Sequence, residues 1–132
     1  MENVVDPSNE ARKQNATVWS VQILLSLVFG ATGVLKLFLP IDALTAMMTW
    51  PGAVAPELVR IIGTAEIAGA LGLVLPMLTG IRPILTSYAG FGLMVLMIGA
   101  LGFHLMLFQG WMLLPTAVLV VMCAYVGVRR MP

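Results

Sequence analysis

The sequence predicts an all-α integral membrane protein, a bundle of four hydrophobic helices, and three observations carry that expectation. Only 10% of the 132 residues are charged and 60% are hydrophobic, whereas a soluble domain carries roughly 25% charged residues. The mean hydropathy is +1.00. Apolar windows occur four times, at about 18–38, 57–78, 83–107 and 111–128, and a helix crosses the hydrocarbon core in about 20 residues. A single membrane domain over 18–132 follows, behind a polar, aperiodic stretch at 1–17 that reads as a flexible cytoplasmic tail.

Breakers fall where spans should end. Pro40 follows the first window, Pro51 and Pro56 bracket a long loop, and Thr79-Gly80 with Arg82-Pro83 forms a tight turn. Pro83 suits the first turn of a helix, where its missing N–H has no partner to lose. Gln109-Gly110 makes the second short turn. Pro76 and Pro115 lie inside windows but near their ends, where a kink is tolerated. The first window follows a polar stretch and ends in Leu37-Phe38-Leu39-Pro40 without a small-residue cleavage site. It reads as a retained anchor rather than a cleaved signal.

Between the first two spans, Asp42 can cap a short helix with Ile41, Leu44 and Met48 on one face, and Trp50 follows at headgroup level. This segment is expected to lie on the membrane surface or to fold back as a lid. Arg12, Lys13, Arg82, Arg129 and Arg130 share one side of a four-span chain. The positive-inside rule places that side, and both termini, in the cytoplasm; the expected location is a cell inner membrane.

Several function classes are excluded or disfavoured. Net charge is +1 without basic or acidic tracts, so nucleic acid is not an expected partner. The single Cys123 allows no internal disulfide and no dithiol site, and among apolar neighbours it reads as a packing residue. The ten methionines form no ligand pattern. One histidine and one deep carboxylate do not make a closed metal site. No phosphate loop and no nucleophile–base pattern occurs, so no catalytic residue and no cofactor is assigned.

Four polar residues stand out in the half of the membrane away from the basic ends. Glu66 falls nine residues beyond Glu57, about 13 Å into its span, on a narrow face with Gly63, Gly69 and Ala70. A charge at such depth costs at least about 2.5–3.5 kcal/mol, so Glu66 must face protein or a cavity. Lys36 ends the first span on a face with Gly33, Arg60 sits one turn into the second, and His104 ends the third on a face with Met97 and Ala100. Because alternate spans run in opposite directions, these four converge on one polar pocket opening outward. Plainer roles compete: Lys36 and Arg60 can snorkel to headgroups, Arg60 can pair with Glu57, His104 can be an interfacial hydrogen-bonder, and Glu66 can lock the bundle by pairing with Lys36 or Arg60.

The strings Gly33-Val-Leu-Lys36-Leu37, Arg60-Ile-Ile-Gly63-Thr-Ala-Glu66 and Gly69-Ala-Leu-Gly72-Leu-Val-Leu-Pro76 resemble the DoxX-like family of small four-span membrane proteins. Pro83, His104 and Pro115 follow in order, and the likeness spans about 20–128. The resemblance implies a four-helix bundle with Lys36, Arg60, Glu66 and His104 as its polar site. Relatives are named as subunits linked to quinone-dependent oxidoreductases or to redox defence, and a distant animal relative assists receptor assembly. These roles share no reaction, so the likeness implies fold more firmly than function. The reading favoured is a non-enzymatic accessory protein that binds a lipid- or quinone-like molecule or a membrane-protein partner. A subunit of a quinone-linked oxidoreductase and a small proton-coupled transporter are the alternatives. Membrane lipids surround it in every case, and transport would favour a homo-oligomer.

Overall fold

The computed structural model describes residues 6–48 and 50–132. Among the described residues five α-helices follow one another: α1 Pro7–Phe38, α2 Ile41–Met48, α3 Pro56–Thr79, α4 Ile84–Met106 and α5 Gly110–Arg129, with a 3-10 turn at Trp50–Ala53 between α2 and α3. Helices α1, α3, α4 and α5 are long and apolar enough to cross a membrane, and their bounds follow the four expected windows within a few residues except at one end. That end is the start of α1.

Residues 7–17, expected as a flexible tail, are helical. Asp6 caps the helix by accepting the Ser8 N–H at 3.0 Å, Pro7 takes the first helical position and Glu10 lies in the first turn. These are strong start signals, and they need no apolar periodicity. Across the bundle Arg129 donates to the Gln14 amide oxygen at 2.7 Å and Arg130 to that of Asn15 at 2.8 Å. The helical extension is thereby tied to the end of α5. Residues 1–5 lie outside the described residues.

Two smaller expectations shift by one or two residues. Asp42 sits in the first turn of α2 rather than capping it, and Pro83 stands just before α4 as its N-cap residue. At the end of α3, Gly80 adopts the left-handed conformation at φ 71°, which glycine enters without steric cost.

Glycines set the helix seams. Helices α1 and α3 meet at Gly33 and Gly63: a Cβ built on Gly33 would stand 2.8 Å from the Gly63 carbonyl oxygen, and one on Gly63 2.9 Å from that of Gly33. The same seam is laced by side chains bonding to backbone, Ser26 Oγ to the Ala70 carbonyl at 2.9 Å and the Gln22 amide to that of Leu73 at 2.6 Å. In lipid, where apolar burial does not drive helix pairing, such close packing and hydrogen bonding hold helices together. Helices α4 and α5 approach at Gly90 and Gly127, with Ser87 Oγ donating to the Gly127 carbonyl at 2.5 Å. The shared core is Leu25, Phe29, Ala70, Leu73, Leu93, Met97, Cys123 and Val126. Large apolar side chains such as Leu27, Val95 and Val121 point outward and are exposed, as a lipid-solvated surface requires.

Candidate functional site

The centre of the site is an ion pair. Lys36, one turn from the end of α1, places Nζ 2.6 Å from Glu66 Oε1 on α3, and Thr32 Oγ donates to the other carboxylate oxygen at 3.2 Å. Lys36 is 6% exposed and Glu66 1%. Lys36 therefore does not snorkel to the headgroups; its ammonium turns inward and also lies 5.5 Å from the centre of the Trp50 ring, within cation–π range. The Gly33–Gly63 approach makes this possible. It draws the two backbones together one turn before Lys36 and one turn before Glu66, so the short Glu66 side chain reaches its partner.

Beside the pair lies a cavity of about 400 Å³, lined by residues of every helix. Its walls are mostly apolar, with Phe29, Ile62, Leu96, Met97, Ala100, Phe103 and Leu119 among them. Polar groups enter from Thr32, Lys36, Glu66, His104 and Thr116. A mostly apolar chamber of this size with a few convergent polar groups has the character of a small-molecule site. The segment between α1 and α3 closes it on one side. Leu44 of α2 is fully buried, Met48 and Trp50 line the cavity, and Trp50 lies 6.4 Å from Phe103, ring centre to ring centre. The expected apolar face of α2 thus turns onto the protein, as a lid would.

His104 is 3% exposed. Its Nδ1 lies 2.9 Å from Gln109 Oε1, and the Gln109 amide nitrogen donates to the Met48 carbonyl at 3.4 Å. One side chain thereby connects the end of α4 to the covering segment. Arg60 is placed differently from the other three. It does not line the cavity, and it donates to the carbonyls of Lys36 at 2.6 Å and Leu39 at 2.7 Å. The last carbonyls of a helix lack intrahelical donors and carry the negative end of its dipole; Arg60 satisfies one of these in α1, that of Lys36, together with that of the cap residue Leu39. Among the described residues Arg60 forms no ion pair with Glu57.

The structure thus brings Lys36, Glu66 and His104 to one cavity and puts Arg60 behind it. Sequence reading missed Thr32, Gln109 and Thr116. Thr32 was visible as the residue one turn before Lys36; Gln109 and Thr116 carried no signal of their own.

Helices α3 and α4 are in tight contact toward one end: a Cβ on Gly72 would lie 2.9 Å from Ala89 Cβ, and one on Gly69 2.5 Å from the Leu93 side chain. Further along α4, a Cβ on Gly99 would meet nothing within 4 Å, and Gly99 is an exposed residue of the cavity wall. The cavity therefore comes close to the bundle surface at Gly99.

These features define a small four-span membrane protein with a buried ion pair in the wall of a mostly apolar cavity. The chain belongs to the DoxX-like family, whose match covers residues 20–126. No curated protein and no solved structure matches it.

Proposed function

We propose that this chain is a non-enzymatic accessory protein of an inner membrane, binding a lipid- or quinone-like molecule in the cavity beside Lys36 and Glu66. The observation that carries the reading is the combination of an apolar chamber, a polar corner already neutralised internally, and an exposed glycine, Gly99, in the chamber wall. An amphiphile could seat its head at the polar corner and leave its apolar part against Met97, Ala100 and Leu119. With the basic helix ends in the cytoplasm by the positive-inside rule, the cavity belongs to the outer leaflet and α2 to the outer interface. A subunit role in a quinone-linked complex is the second reading, favoured by the aromatic side chains of Trp50 and Phe103 in the cavity wall. The transporter reading gains no such support, since Glu66 is held by both Lys36 and Thr32.

The test is mass spectrometry of what co-extracts with the native chain, with Gly99→Trp and with Glu66→Gln. Gly99→Trp puts a bulky ring at the exposed cavity wall and leaves both members of the ion pair in place. A stoichiometric lipid or quinone is expected with the native protein and is expected to fall sharply with Gly99→Trp. A protein partner retained equally by all three, with no small molecule, would replace the ligand reading by a membrane-partner role.

A further inference from the structure

The hydrogen-bonding groups of the cavity select among amphiphiles, an inference that rests on the ligand-binding reading above. Gln109 decides the matter at His104. Its amide nitrogen donates to the Met48 carbonyl, so its oxygen faces His104 Nδ1. An amide oxygen only accepts, so Nδ1 carries a ring hydrogen, and in an imidazole that holds only this hydrogen Nε2 is an acceptor. Among the described residues Nε2 has no hydrogen-bond partner, while His104 is part of the cavity wall. Thr116 adds a second acceptor, because its hydroxyl hydrogen is committed to the Met112 carbonyl at 2.7 Å. The single hydrogen of the Thr32 hydroxyl has two acceptors within reach, the Val28 carbonyl at 3.0 Å and Glu66 Oε2 at 3.2 Å, so it too is committed within the protein.

Charge constrains the head further. The Lys36 ammonium and the Glu66 carboxylate cancel each other at 2.6 Å, and the Arg60 guanidinium is engaged with two carbonyls outside the cavity. A carboxylate or phosphate head would compete with Glu66 for Lys36. An ammonium head would compete with Lys36 for Glu66. Either leaves one buried charge without a partner, at a cost that grows as the dielectric falls.

We propose that the cavity binds an uncharged amphiphile whose head carries a hydroxyl, the O–H donating to His104 Nε2. Any head oxygen can accept from the remaining ammonium hydrogens of Lys36, so an ether or carbonyl head satisfies that end equally. Only a donor satisfies Nε2. A quinone in its oxidised form offers acceptors alone and is disfavoured against its hydroxylated, reduced form.

Photo-crosslinking of the full chain in lipid nanodiscs tests this directly. Four probes share one C12 chain with a mid-chain diazirine and differ only in the head: alcohol, methyl ether, carboxylate and trimethylammonium. Labelled peptides are mapped and half-saturation is read for each probe. The alcohol is expected to label the Met97–His104 stretch with half-saturation about tenfold below that of the ether, and both charged probes to label it more weakly than the alcohol. In His104→Phe the alcohol is expected to fall to the level of the ether, whose labelling persists and reports an intact cavity. Equal half-saturation of alcohol and ether in the native chain, or preference for a charged head, overturns the hydroxyl assignment while leaving a ligand cavity standing. Absence of saturable labelling by every probe removes the cavity reading itself. The series on the native chain decides between these outcomes even if His104→Phe does not fold.

Discussion

Glu66→Ala is expected to destabilise the bundle by about 3–5 kcal/mol, the usual loss when one member of a buried ion pair is removed and the other remains. The Lys36 ammonium then has the Trp50 ring but no anion. Its four-carbon stem lies one turn from the end of α1 and can swing toward the headgroups, which places the loss at the lower end of that range. The double substitution Lys36→Met with Glu66→Leu is expected to fold within about 1 kcal/mol of the native chain, or above it, because apolar replacements of similar volume remove both desolvation costs together. Unfolding by sodium dodecyl sulfate titration in mixed micelles, run as a double-mutant cycle over the native chain, both single variants and the pair, separates the coupling from the cost of each side chain. Additive effects would mean that the two groups do not form a charged pair in the membrane.

The second large effect is expected at Gly33. A methyl group there meets the Gly63 carbonyl oxygen at 2.8 Å and the Ile67 side chain at 2.8 Å. The first is backbone and cannot rotate away, so α1 and α3 must separate. Gly33→Ala is expected to cost about 1–3 kcal/mol as overpacking, and Gly33→Leu more, since the separation also stretches Lys36 from Glu66 one turn further on. Gly92→Ala is the matched control: a Cβ at Gly92 meets nothing within 4 Å, and its effect should stay within about 1 kcal/mol, the scale of glycine-to-alanine propensity in a helix. The same titration reads both. Equal stability of the Gly33 and Gly92 variants would show that the α1–α3 seam does not depend on backbone approach.

Much of the fold was legible because lipid leaves the sequence few options. An unbroken apolar window must be a helix in hydrocarbon, and prolines and glycines mark its ends. The start of α1 escaped because its evidence was of another kind. Asp6-Pro7 and Glu10 are capping signals, and polar residues without an apolar stripe still form a helix when they are capped and bonded across to Gln14 and Asn15. In the site, depth singled out Glu66, and span direction grouped Lys36 and His104 with it; all three line one cavity. Arg60 was grouped with them because it shares their depth, but depth does not report which way a guanidinium points. The unsatisfied carbonyls at the end of α1 claimed it. Gln109 was hidden for a related reason: its partners are a ring nitrogen on α4 and a carbonyl of α2, and no spacing along the chain announces such a meeting.

The cavity wall is thin at one point. Gly99 is exposed and also lines the chamber, so with no side chain there only backbone stands between the cavity and whatever surrounds the bundle at that depth. Any larger residue at that position would thicken the wall from outside, because a Cβ on Gly99 meets nothing within 4 Å. A single glycine thus sets how close the surroundings come to the chamber's contents.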